Sequence, residues 1–186
     1  CIRDRYTEVG NFVVIYSAVG ADEETIPTDN TQYNIAETSI IKIPNQEPKK
    51  LGYTFEGWKT GTDDTVYKYG TQNDTYTVPN DISGAITFIA QWSINEYKIT
   101  YELNGGINAE NAPVSYTIET DTITLPVPTK DGYNFEGWYT DAAFENAVAA
   151  IAKGSVGDMV LYAKWSEKDM AVYKICLLYT SDAADD

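Results

Sequence analysis

A chain of 186 residues with 28 acidic and 13 basic side chains carries a net charge of −15, too few cations to grip a phosphate backbone or an anionic lipid surface. It has no histidine, and its two cysteines, Cys1 and Cys176, lie in terminal stretches of foreign character. Imidazole acid–base chemistry, thiolate catalysis and Cys/His zinc sites are thereby excluded, and no run approaches the roughly 18 apolar residues of a membrane-spanning helix.

Residues 1–5, Cys1-Ile2-Arg3-Asp4-Arg5, resemble the translated mosaic end of a transposase-based sequencing adapter and are set aside as an artefact. Residues 12–16 are β-branched and aromatic and read as a strand. Residues 20–32 are polar, with Pro27 and the acidic run Asp22-Glu23-Glu24, and read as a surface loop. Short strands follow at 33–35 and 40–43, the second closed by Pro44. After a connector at 45–51 comes an aromatic strand at 53–58, then a turn at 61–64. Alternation at 66–69, the Tyr76 segment before Pro79 and the apolar run 86–92 read as three more strands.

The join 93–96 is too short for a free linker, so a stiff pair of modules is expected. Beyond it, Tyr97, Ile99, Tyr101 and Leu103 share one face of a half-buried strand, and Asn104-Gly105-Gly106 signals a turn. From here the chain repeats itself. Gly132-Tyr133-Asn134-Phe135-Glu136-Gly137-Trp138 matches Gly52-Tyr53-Thr54-Phe55-Glu56-Gly57-Trp58 at six of seven positions, eighty residues apart. The segments around Tyr116, Leu125 and Leu161 match those around Tyr33, Ile43 and Phe88 in the same order. A tandem array follows: module 1 at 10–93 and module 2 at 97–166, with loop insertions in the first copy. Residues 172–175 echo Tyr97-Lys98-Ile99 and read as the start of a third repeat. Residues 176–186 resemble translated adapter again.

Residues 141–153 give two readings. Phe144, Ala147, Val148 and Ile151 fall at i, i+3, i+4 and i+7, with Asp141 in N-cap position and Gly154 after the end. That spacing predicts a short amphipathic helix near 144–151. The corresponding part of module 1, 66–78, reads as strands, and copies of one repeat should share a fold.

The stretches Tyr-x-Ile-Thr-Tyr-x-Leu-Asn-Gly-Gly at 97–106, Leu-Pro-x-Pro-Thr-Lys-x-Gly-Tyr-x-Phe-x-Gly-Trp-Tyr-Thr at 125–140 and Leu-Tyr-Ala-Lys-Trp at 161–165 resemble the Listeria–Bacteroides repeat, the B-repeat of internalin-like bacterial surface proteins. Module 1 departs from the pattern where Ser17-Ala18-Val19-Gly20 replaces Leu-Asn-Gly-Gly. The resemblance implies a mainly β, or α+β, chain of tandem β-grasp-like modules with four or more short strands each. It implies secretion or attachment to a bacterial cell wall, and transfers no enzymatic activity, cofactor or metal.

Within the repeated motif, Tyr53, Phe55, Tyr133 and Phe135 alternate onto one face, and Gly57 and Gly137 permit a bulge that returns Trp58 and Trp138 to it. Gly52 and Gly132 open the motif. These residues, with Trp92 and Trp165, are expected to form a structural core; the alternative is an exposed carbohydrate platform. Trp92 and Trp165 stand at strand ends; partial exposure is one reading, and packing against the next module is the expected one. Glu56 and Glu136 sit in separate modules, which does not suit a glycosidase pair; each is expected to face solvent or meet a cross-strand Lys or Thr. Asp22-Glu23-Glu24 and Asp63-Asp64 lack Ca²⁺-loop spacing and read as solvated loops. The expected function is non-enzymatic: an extracellular spacer, stalk or adhesion segment in contact with adjacent repeats. The alternative is a module binding glycan or host protein through exposed Tyr/Trp and acidic loops. Neither nucleic acid nor membrane insertion is expected.

Overall fold

The computed structural model describes residues 10–82 and 84–168. The expected adapter stretches and the third-repeat start lie outside them. Alternation decides the first strand, β1 (Asn11–Ser17): Phe12 and Val14 are buried while Asn11, Val13 and Ile15 face out. A single 3-10 turn, Glu23–Thr25, follows in the acidic loop. Then come β2 (Gln32–Asn34), β3 (Ile40–Lys42), β4 (Tyr53–Lys59), β5 (Thr75–Thr77) and β6 (Gly84–Ile94). The second half has β7 (Glu96–Glu102), β8 (Ser115–Thr117), β9 (Ile123–Thr124), β10 (Tyr133–Tyr139), β11 (Ala147–Val148), β12 (Ala150–Ile151) and β13 (Met159–Glu167). No helix among the described residues is long and apolar enough to cross a membrane.

The chain divides into two compact units between Asn95 and Glu96. In the first, a mixed sheet runs β2-β1-β6-β4. Its middle pair, β1 and β6, is parallel, from Phe12 opposite Gly84 to Ser17 opposite Ile89. Parallel neighbours need a crossover, usually a helix. Here the crossover is strands: β4 returns to the sheet beside β6, and β3 and β5 form a separate antiparallel ribbon with Ile41 opposite Tyr76. The second unit repeats the plan. Its sheet runs β11-β10-β13-β7-β8, with β7 and β13 parallel and a β9–β12 ribbon pairing Ile123 with Ile151. Each core is enclosed by its sheet and its ribbon. In the first unit Phe12, Val14, Ile86 and Phe88 pack with Ile41, Ile43 and Tyr76. In the second, Ile99 and Leu161 pack with Leu125 and Ile151.

The helix expected near 144–151 does not form. Ala147–Val148 is β11, paired with β10 through Trp138 opposite Val148, and Ala150–Ile151 is β12. Phe144 adopts φ 59°, a left-handed conformation that interrupts any helix there. The helical spacing arose because two consecutive strands each turn one apolar residue, Val148 and Ile151, inward. The strand expected at 66–69 shrinks to a bridge between Tyr67 and Trp58, in the place β11 takes in the second unit.

Candidate functional site

The repeated motif occupies β4 and β10. In both strands the register against β6 or β13 slips between Phe and Gly, so Phe55 opposes Trp92 and Gly57 opposes Gln91, as Phe135 opposes Trp165 and Gly137 opposes Lys164. The extra residue is Glu56 or Glu136, and the glycines carry it at φ 141° and 140°. The bulge returns the indole to the core: Trp58 is 0% exposed and Trp138 3%. Phe55 lies edge-on to Trp58 at 5.1 Å and to Trp92 at 5.6 Å; Phe135 lies edge-on to Trp138 and Trp165 at 5.4 Å each. Tyr16 and Tyr101 complete the cluster at 4.9 and 5.2 Å from the buried indoles. Trp138 Nε1 donates to the Pro126 carbonyl at 2.7 Å, and Trp165 Nε1 to the Leu103 carbonyl at 2.9 Å.

Trp92 and Trp165 each find a ring partner inside their own module and stay half-buried. The cross-strand partner at Phe55 or Phe135 claims the ring first, because opposed residues on one sheet face are nearest neighbours. Gly52 and Gly132, at φ 77° and 76°, turn the chain into the strand. Their carbonyls accept the backbone N–H of Asn95 and of Lys168, each at 2.9 Å, so both modules hold the departing chain in the same way.

Glu56 and Glu136 meet serine rather than Lys or Thr. Ser93 Oγ donates to Glu56 at 2.6 Å, and Ser166 donates to Glu136. These pairs are exposed and lie in different units. The acidic loops serve their own turns. Asp63 accepts the Thr65 N–H at 2.8 Å and the Tyr67 hydroxyl at 3.1 Å, and Asp64 pairs with Lys59 at 3.4 Å. Asp29 accepts the Thr31 N–H and the Tyr33 hydroxyl at 2.9 and 2.7 Å. Partial burial pushes the Asp29 carboxyl up, but those two donors outweigh it and leave the pKa below its ordinary value. Burial foremost raises the Tyr16 phenol well above its ordinary range, as expected for a ring wedged into the core.

Sequence reasoning missed the lysines. Lys50 Nζ sits 4.1 Å from the Tyr53 ring and 5.7 Å from Trp92; Lys130 Nζ sits 4.2 Å from Tyr133 and 5.9 Å from Trp165. The repeated spacing Lys-x-Gly-Tyr, at Lys50 and Lys130, was the available signal. Each ammonium lies over a ring face that would otherwise meet water.

The profile of the Listeria-Bacteroides repeat domain matches residues 12–91 and 97–164, one match to each unit. A protein of Evansella cellulosilytica named as a Gly-rich membrane protein is 34% identical over 152 residues, 77% of this chain and 17% of its own length. Internalin H of Listeria monocytogenes serovar 1/2a is 33% identical over 144 residues, 75% of this chain and 24% of its own. The chain therefore spans under a quarter of the length of either relative. No solved structure gives a significant match. Two matched segments, two copies of one strand plan and two copies of one aromatic bulge give a single conclusion: the chain belongs to the Listeria-Bacteroides repeat domain family and carries that domain twice.

Proposed function

We propose that the chain is a non-enzymatic, extracellular tandem-repeat segment of a bacterial cell-surface protein, acting as a spacer or adhesion module that projects a distal domain from the cell. The observation that carries this reading is the fate of the repeated motif. In both copies its Phe and Trp go into the core, while Tyr53 and Tyr133, expected there too, stay half-buried outside it, and its opening glycine binds the departing chain. On this reading the array repeats a folding unit. The join supports stiffness. Only Asn95 separates β6 from β7, with its N–H on the Gly52 carbonyl and its side chain bonded to Thr54 Oγ1 at 2.6 Å. An extracellular location is supported by relatives named as a membrane protein and an internalin. Neighbouring repeats are the partners this reading requires.

Small-angle X-ray scattering on the whole chain tests it. A compact single domain of this length would have a radius of gyration of about 16 Å. The proposal expects a clearly larger value and a skewed distance distribution; a profile matching a compact globule would remove the spacer reading.

A further inference from the structure

The second module carries an open groove of about 530 Å³ where the chain leaves β7 beside β13. Tyr133, Phe144, Tyr162 and Trp165 supply ring surface, and Lys130 and Lys164 supply two cations. No carboxylate lines it, although acidic residues outnumber basic ones 28 to 13 in the chain. Among the described residues neither lysine forms a salt bridge. Lys130 Nζ donates to the Asn104 carbonyl at 2.8 Å and sits 4.2 Å from the Tyr133 ring, and Lys164 Nζ is 5.1 Å from Tyr139 and 5.7 Å from Phe144. A ring fixes an ammonium in place without neutralising it, so its charge stays available to a ligand.

The first module shows that the fold does not require this arrangement. It keeps Lys50, Tyr53 and Trp92, but sheet register puts Gln91 at the position of Lys164 and Ile89 at that of Tyr162. The cavity beside Lys50 is lined by Asp22 and Glu47.

We propose that the second module's groove binds an acidic saccharide, with the carboxylate met by Lys130 and Lys164 and the sugar ring by the surrounding aromatic surface. The volume falls in the range of small-ligand sites, which combine mostly apolar walls with a few placed polar groups. An acidic peptide suits it less. One edge of β13 is paired along β10, and on its other side the Ala163 carbonyl is taken by Asn104 Nδ2 at 2.9 Å, so the strand-edge pairing that extended peptides use is blocked there. The site does not rest on the spacer reading; a compact scattering profile would remove that reading and leave this one standing.

The test follows the four tryptophan indole N–H resonances of the whole ¹⁵N-labelled chain at low ionic strength. Hyaluronan tetrasaccharide is the probe, the neutral N-acetylglucosamine tetramer a control, and hexaglutamate the peptide comparison. Saturable movement of Trp165 but not Trp92 with the acidic saccharide, and none with the neutral one, is expected. Lys164→Gln should weaken binding at least about tenfold, and Lys50→Gln should leave it unchanged. The amide spectrum of each variant reports its fold, and the Trp165-against-Trp92 comparison in the parent chain stands without any variant. No saturable shift at millimolar probe, or an equal response to the neutral tetramer, overturns the proposal. Tighter binding of hexaglutamate also overturns it and assigns the groove to acidic peptide.

Discussion

Gly57 and Gly137 share a backbone conformation but not a neighbourhood. A Cβ at Gly57 would lie 2.5 Å from Val66 Cγ1 and 2.8 Å from the Tyr67 carbonyl oxygen; at Gly137 its nearest neighbour is Tyr139 Cε2 at 3.8 Å. Gly137→Ala therefore costs conformational strain alone, about 1–2 kcal/mol. Gly57→Ala adds a clash with backbone that is bridged to Trp58, and is expected to cost more than about 3 kcal/mol. Urea unfolding of the two variants checks the order; equal losses would mean that the bulge, not its surroundings, sets the cost. The bulged glutamates are a contrasting case. Their serine partners are exposed, so Glu56→Gln and Glu136→Gln should each shift stability by no more than about 0.5 kcal/mol. A much larger loss in the same measurement would show that these exposed pairs support the bulge.

The connection from β10 to β11 decides how the second module departs from a helical reading. Asp141 accepts the Glu145 and Asn146 N–H groups at 3.0 and 2.8 Å, a helix-start chemistry used here to close a single tight turn. Phe144, left-handed at φ 59°, then packs on Tyr139 at 5.5 Å instead of entering the core. The bonds from Glu145 and Asn146 hold the Asp141 carboxyl below its ordinary 3.8. As pH falls the unfolded chain is protonated first. The carboxylate's stabilisation is therefore complete above roughly pH 5, and is lost as pH drops below the unfolded value and through the folded one. Thermal melts of Asp141→Ala and the parent chain should differ by a constant amount near neutrality and converge below about pH 4. A gap that persists unchanged into acid would show that the turn needs no charge. In the first module the equivalent connection is longer after the bridge: nine positions run from Tyr67 to Tyr76, against three from Val148 to Ile151.

For the molecule as a whole the dominant long-range term is charge. At −15 the folded chain repels itself more than the expanded one does. Raising ionic strength from about 10 mM to 150 mM shortens the screening length from roughly 30 Å to about 8 Å. Melting temperature should rise over that range, read by circular dichroism. A fall would mean that local attractions, such as Lys68 with Glu47 at 3.2 Å and Lys153 with Asp121 at 2.8 Å, outweigh the net field.

The repeat, the mainly β character and the family were legible in the sequence because a repeat compares a chain with itself. Phe12, Val14, Ile99 and Leu161 carry a period of two that survives any packing, and Gly57 and Gly137 each stand one position before a tryptophan that alternation alone would turn outward. Tertiary structure decided the rest. Whether Phe144 to Ile151 is helix or strand depends on β10 and β9 lying alongside, contacts far apart in sequence. So does the ring partner of Trp92 and of Trp165, the phenylalanine opposite each. The clustering of Lys130, Lys164 and four rings in one acid-free groove is likewise a product of register, since the local sequence around each lysine carries no trace of the other.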